Sequence, residues 1–111
     1  MDDCVFCNIV NKATPTEFLL ETVDLIAFRD IFPKAPVHIL VIPKKHIPSI
    51  NEVSSKEKEI LGDMIVAARG LAGKMGIKDS GYKIVFNVGK QGGQIVRHLH
   101  LHLLGGKQLD E

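Results

Sequence analysis

The chain has 111 residues, 45% of them hydrophobic and 24% charged, with a formal net charge of +1. A length of this order makes one domain, and residues 1–111 are expected to form a single one that buries a core without covalent staples. Near-neutral charge with no dominant Lys/Arg cluster argues against nucleic-acid and membrane-surface partners. The longest purely aliphatic run, Ile39 to Ile42, is too short to span a bilayer.

In chain order, Met1-Asp2-Asp3 is acidic and leads into no apolar stretch of the length a secretory leader needs. A cytoplasmic location is expected, where thiols stay reduced. Cys4 and Cys7 then read as a metal half-site or as plain thiols rather than as a disulfide. Residues 4 to 11 suggest one or two helical turns. Phe18 to Leu20 and Leu25 to Phe28 read as a strand pair with Asp24 near the turn, and Pro33 and Pro36 mark a loop. Val37 to Ile42, β-branched, apolar and ended by Pro43, reads as a buried strand.

One long helix is predicted from about Ser55 to Met75. Ser54 with Glu57 three residues on resembles a capping box. Ile60, Leu61, Met64, Ile65, Ala68, Leu71, Ala72 and Met75 recur at helical spacing, and Gly76 is placed to end the helix. Tyr82 to Val88 reads as a strand, Gly89 to Gly93 as a glycine-rich loop, and Arg97 to Leu104 as a last strand. Strands, one helix, then strands argue for an α+β domain with an antiparallel sheet.

The last segment carries the chemistry. Residues 98 to 104 read His-Leu-His-Leu-His-Leu-Leu. In a strand, His98, His100 and His102 share one face and Leu99, Leu101 and Leu103 the other, with imidazoles roughly 6.5 Å apart. Three of the five histidines falling on alternate positions of one strand disfavours a merely solvated face. Two chemistries compete. His-x-His, with His38 as a third ligand, would suit a catalytic metal. Alternatively, one histidine attacks phosphorus while its neighbours and backbone amides hold the phosphate oxygens. The loop Asn87-Val88-Gly89-Lys90-Gln91-Gly92-Gly93-Gln94 favours the second, because glycines let backbone N–H groups approach an anion.

Gly93 to Gly106, read whole, resembles the signature of the histidine-triad (HIT) superfamily, and the trailing Gly105-Gly106-Lys107-Gln108-Leu109 resembles its nucleotide-binding, phosphoramidase branch of bacterial type. Phe28-Arg29-Asp30-Ile31, Ala35 to Ile47, Cys4 to Ile9 and Asn87 extend the likeness over nearly the whole chain. The resemblance implies a HIT-like α+β fold: an antiparallel sheet with one long helix and a short N-terminal helix, the sheet continued across a homodimer. It implies a purine nucleoside 5′-phosphoramidate hydrolase that works through a nucleotidyl-histidine and needs no catalytic cofactor. Its ligands would be a purine nucleoside monophosphate and the phosphoramidates of it. By the same resemblance His100 is the nucleophile, oriented by the carbonyl of His98. His102, Asn87 and the amides of Gly93, Gln94 and Ile95 hold the phosphate, and His38 sits beside His100. Asp30 would bind the ribose hydroxyls, and Phe6, Ile9, Phe28, Arg29, Ile31 and Leu40 would wall the base. Read as residues alone, Phe6, Ile9, Phe28 and Leu40 fit a core better than a pocket, His38 fits a core position, and Asp30 fits a turn.

Cys4-Val5-Phe6-Cys7 has the spacing of a zinc half-site. In some bacterial relatives His46 and His98 would complete a structural, tetrahedral Cys-Cys-His-His site. Two departures stand out. Many relatives carry a serine or threonine where this chain has Ile95, and close relatives often continue with a Trp-containing tail where only five residues follow Gly106. Losing that hydroxyl would slow catalysis by roughly tenfold or more. Three other functions remain: a nucleotide-binding regulatory dimer with weak turnover, told by binding without hydrolysis; a dinucleoside-polyphosphate hydrolase, disfavoured by Gly105-Gly106; and a metal-dependent hydrolase, told by its response to chelator.

Overall fold

The computed structural model describes residues 4–111; the acidic Met1-Asp2-Asp3 of the leader argument lies outside them. Seven elements follow in order: α1 (Val5–Val10), β1 (Leu20–Glu21), β2 (Leu25–Arg29), β3 (Val37–Pro43), α2 (Lys58–Lys74), β4 (Tyr82–Phe86) and β5 (Leu101–Gly105). The strands form one antiparallel sheet in the order β1-β2-β3-β5-β4. The α+β architecture with a long helix and a short N-terminal one is therefore observed. Among the described residues no helix is long and apolar enough to cross a membrane.

The sheet is apolar on both faces because β2 and β3 alternate two sets of side chains. Leu25, Ala27, Ile39 and Val41 join Leu99, Leu101 and Leu103 against Met64, Ala68, Leu71 and Ala72 of α2. Ile26, Phe28, Leu40 and Ile42 meet Phe6 and Ile9 of α1 on the other face. Leu101 and Leu103 are fully buried, each contributing roughly 1.5–3 kcal/mol by leaving water.

The Ser54–Glu57 capping box is present, but residues Ser55–Glu57 form a turn of 3-10 helix and the α-helix proper starts at Lys58. Gly76 closes the helix at φ +75°, a backbone conformation that suits glycine. Ile65 departs from the expected stripe: it is 46% exposed, because the surface the sheet offers α2 is covered by the narrower set of Met64, Ala68, Leu71 and Ala72. The first strand is only Leu20–Glu21, and β4 ends at Phe86 rather than Val88. The larger correction concerns the triad. Its strand begins at Leu101, since Val41 is the last β3 residue paired with β5. Leu99 N–H turns instead to the Ile47 carbonyl (2.6 Å). His98 and His100 thus lie on an irregular approach, yet leucines and histidines still separate to opposite sides.

Candidate active site

The three histidines enter two separate clusters. On β5, His102 pairs with Leu40 while His38 pairs with Leu104, which makes His38 and His102 diagonal neighbours across the ladder. Their rings meet at His38 Nε2···His102 Nδ1, 3.0 Å. The His100 and His102 ring centroids are 4.8 Å apart, closer than the regular strand spacing expected, because His100 precedes the ladder. His100 Nδ1 lies 2.7 Å from the carbonyl oxygen of His98. A carbonyl only accepts, so Nδ1 carries the proton and the lone pair of the neutral ring sits on Nε2.

The same reasoning fixes His38. The backbone N–H of Lys34 donates to His38 Nδ1 (3.0 Å). The proton of a neutral His38 is therefore on Nε2, facing His102 Nδ1 and, at 3.4 Å, Asp30 Oδ2. Burial lowers the pKa of His38, His98 and His100 below the ordinary imidazole value. His102 is pushed down to about 4 by burial and then by the neighbouring His100 and His38. All of these rings are neutral near pH 7.

Asp30 also caps a turn: its Oδ1 accepts the Phe32 N–H at 2.9 Å, so one carboxylate oxygen is already in use. Asp30, His38 and His102 each offer a ligand atom within 4.8 Å of the others, a group able to hold a metal ion. This set contains Asp30 in place of the second histidine of the His-x-His pair. Phe6, Ile9, Phe28 and Leu40 are buried against one another as a small core. Phe6 reaches the site itself, its ring edge-on to His100 with centroids 5.1 Å apart. Arg29 is exposed and 3.7 Å from Glu17, and Ile31 is largely exposed.

The glycine loop corrects one expectation. Gln94 faces inward: its Oε1 accepts Gly89 N–H (3.0 Å), and its Nε2 donates to the carbonyls of Pro48 (2.7 Å) and Val96 (3.0 Å). The backbone N–H groups of Gly93 and Gln94 donate to Lys90 and Gly89 carbonyls, and Asn87 Nδ2 donates to Gly92 O (2.9 Å). Gly93 and Gln94 amides are thus committed within the loop. Gly92 is required there, since a methyl group would collide with the Val88 carbonyl. Ile95, 89% exposed, carries its side chain into solvent beside the loop.

His98 belongs to the second cluster. Its Nε2 donates to the Pro43 carbonyl (2.8 Å), which leaves the Nδ1 lone pair free. That atom lies 3.4 Å from Cys4 Sγ, 3.6 Å from Cys7 Sγ and 3.2 Å from His46 Nδ1, and Cys7 Sγ is 3.2 Å from His46 Nδ1. The Cys-x-x-Cys spacing arises because Cys4 is the N-cap of α1, its sulfur accepting the Cys7 N–H. The four donor atoms can hold a metal ion. Burial, followed by the neighbouring Cys4, raises the Cys7 thiol to about 11; a cation among these atoms reverses that preference.

Three contacts had no sequence signal: the carbonyls of Pro43 and Ile47 and the N–H of Lys34, backbone groups that do not depend on the side chain. The Pro33/Pro36 loop was the one hint that the chain turns back on His38.

Known proteins share this sequence and fold. The family model for the HIT domain matches residues 11–109. A purine nucleoside phosphoramidase of Escherichia coli K12 is 41% identical over 108 residues, covering 97% of this chain and 91% of that protein. Among solved structures, a HIT family hydrolase from Legionella pneumophila Philadelphia 1 superposes with a TM-score of 0.95 at 46% identity, covering 97% of this chain and 96% of that one. A histidine triad protein from Clostridium difficile gives 0.95 at 40% identity, covering 100% and 96%. The chain belongs to the HIT family.

Proposed function

We propose that this HIT-family chain is a hydrolase of purine nucleoside 5′-phosphoramidates, with His100 as nucleophile. The observation that carries the reading is the tautomer of His100: Nδ1–H given to the His98 carbonyl at 2.7 Å, Nε2 unprotonated in a buried site. The purine phosphoramidase of E. coli, 41% identical, supports the substrate class. Nε2 attacks the phosphorus and a P–N(His100) bond forms. The phosphoramidate P–N bond breaks with its electron pair on the leaving nitrogen, which takes up one proton and departs as an amine. Water then attacks the same phosphorus, returns one proton, and releases the nucleoside monophosphate and neutral His100. The net change is phosphoramidate plus water to nucleotide plus amine, and no step draws on a catalytic cofactor.

His102, held through Nδ1 by His38, presents its Nε2–H to a phosphate oxygen; Asn87 and the Ile95 N–H complete the cradle. Phe6 supports the base side through its contact with His100, and Asp30 shares its carboxylate between Phe32 N–H and the ribose. Zinc fits the Cys4/Cys7/His46/His98 cluster. A tetrahedral ion holding two sulfurs and two imidazole nitrogens places neighbouring donors roughly 3.3–3.8 Å apart, close to the 3.2–3.6 Å spacings here. The Nδ1 atoms of His46 and His98, 3.2 Å apart, would both serve as ligands to such an ion. Thiolate ligands suit a reducing compartment, consistent with the cytoplasm. β4 is an open edge with Tyr82 and Ile84 partly exposed, which supports a homodimer with a continuous sheet.

The test is AMP release from adenosine 5′-phosphoramidate by the wild type and His100→Ala. Turnover by the wild type and a loss of at least about a thousandfold in the variant, with AMP binding kept, is expected. Wild-type-like turnover by the variant would overturn the assignment of His100. Nucleotide binding by both proteins with hydrolysis by neither would select the regulatory dimer.

A further inference from the structure

Two separate routes join the Cys4/Cys7/His46/His98 cluster to His100. The first runs through the backbone. His100 Nδ1–H donates to the His98 carbonyl at 2.7 Å, so the tautomer of His100 depends on where that carbonyl points. The carbonyl lies before β5, whose ladder starts at Leu101, and sheet register does not hold it. The N–H of the same peptide, that of Leu99, donates to the Ile47 carbonyl at 2.6 Å. Each partner of this bond follows directly on a cluster histidine, His98 or His46. The buried His98 ring is anchored by Nε2–H to the Pro43 carbonyl, and its Nδ1 lies among the other three donor atoms at 3.2–3.6 Å. The second route runs through α1. Cys4 and Cys7 flank Val5-Phe6, and Phe6 stands edge-on to both His98 and His100, with ring centroids 5.9 and 5.1 Å apart. Six residues are too few for a helix to persist alone. The hold of α1 on the sheet is Phe6 and Ile9 in the small core, together with its two sulfurs in the cluster.

We propose that His98 and Phe6 are positioning residues that carry the state of the cluster to His100, so that a thiophilic divalent cation held by Cys4, Cys7, His46 and His98 and a nucleoside monophosphate beside His100 bind cooperatively. The nucleotide half of this coupling rests on the hydrolase reading above; the effect on His100 does not. Two sulfurs and two imidazole nitrogens select an ion of the zinc class. When His46 and His98 share it, the two irregular segments that exchange the Leu99–Ile47 bond are clamped together, and the His98 carbonyl stays on His100 Nδ1. Cys4 and Cys7, tied to the same ion, fix both ends of the tetrapeptide that sets Phe6 against His100. Neither residue takes part in bond making. Couplings between two sites run from about fivefold to about 150-fold in affinity. With two routes of contact and no shared ligand atom, about tenfold is expected here.

The experiment compares the full zinc-loaded chain with Cys4→Ser, in which serine keeps the cap of α1 and removes a thiolate ligand. Circular dichroism reports the fold, imidazole nitrogen NMR reports the tautomer of His100, and calorimetry reports AMP affinity. The loaded wild type is expected to show one His100 form, protonated at Nδ1. Folded Cys4→Ser is expected to show a mixture with the Nε2–H form and to bind AMP about tenfold more weakly. A folded variant that keeps either the single tautomer or the wild-type affinity overturns the proposal. Wild type loaded with cadmium in place of zinc gives a reading that needs no variant. Saturating AMP should move the cadmium NMR resonance, and a resonance that stays in place overturns the coupling even where Cys4→Ser fails to fold. A loaded wild type that binds no AMP refutes the nucleotide reading. The His100 signals of the zinc-loaded and cadmium-loaded proteins then decide the coupling: different signals uphold it, because the larger ion displaces His98, and identical signals overturn it.

Discussion

Replacing Gln94 by alanine separates two roles for one side chain. In the structure this amide joins three stretches of chain through Gly89 N–H, the Pro48 carbonyl and the Val96 carbonyl, at 2.7–3.0 Å. Each such bond contributes about 0.5–1.5 kcal/mol net, and the half-buried groups left behind are partly re-solvated. The three together come to about 2–3 kcal/mol. For a chain of this size that lowers Tm by roughly 10 °C. Gln94→Glu keeps the acceptor for Gly89 but sets a carboxylate against two carbonyl oxygens, and is expected to be at least as destabilising. Urea unfolding monitored by circular dichroism gives the stability, and calorimetry gives AMP affinity under native conditions. A loss below 0.5 kcal/mol together with a large fall in affinity would refute the reasoning and make Gln94 a direct ligand.

Other perturbations have equally definite outcomes. Gly92→Ala drives a methyl into the Val88 backbone, which cannot yield as a side chain would; a loss of about 2 kcal/mol or more is expected in the same unfolding assay. Leu103→Ala empties a fully buried site between the sheet and α2, for about 2–5 kcal/mol. The His102 ring, at about 4 in the folded chain against about 6.5 unfolded, contributes stability that is fully present above pH 6.5. That contribution declines as pH falls through 6.5 and is gone below pH 4, because the unfolded chain binds the proton first. The full difference is about 3 kcal/mol, which solvent screening at this half-exposed ring reduces to roughly 1–2 kcal/mol. Unfolding midpoints between pH 7.5 and 4.5 should fall more steeply for the wild type than for His102→Gln, and parallel curves would contradict the assignment.

Local periodicity made much of this readable beforehand. The alternation of Leu99, Leu101 and Leu103 with the histidines survives even where the ladder has stopped, because burial sorts side chains as firmly as strand pairing does. The Ser54–Glu57 cap and Gly76 bracket the helix as chemistry dictates. The strand order was not readable, and with it the meeting of His38 with His102, since diagonal neighbours depend on the register between β3 and β5. Gln94 misled for a related reason. An amide beside a glycine turn looks the same in sequence whether it faces a ligand or fastens the turn, and only the position of Pro48 decides. Ile65 was drawn into the stripe by spacing alone; helical position gives the angle of a side chain but not the width of the surface it meets.

The sheet order also has a temporal meaning. β5 is the last of the five strands to leave the ribosome, yet it lies between β3 and β4. Until it arrives, β3 and β4 each expose the edge that it will occupy, and neither His100 nor His102 exists to face His38. The three earlier strands can meet as a meander of neighbouring hairpins, but β4 waits for a partner that has not yet been made. β5 thus takes its place between two strands made before it. A nascent chain interrupted before residue 98 leaves β3 open on one side and β4 on both and lacks the whole triad, making it a substrate for chaperones and proteases rather than a partially active protein.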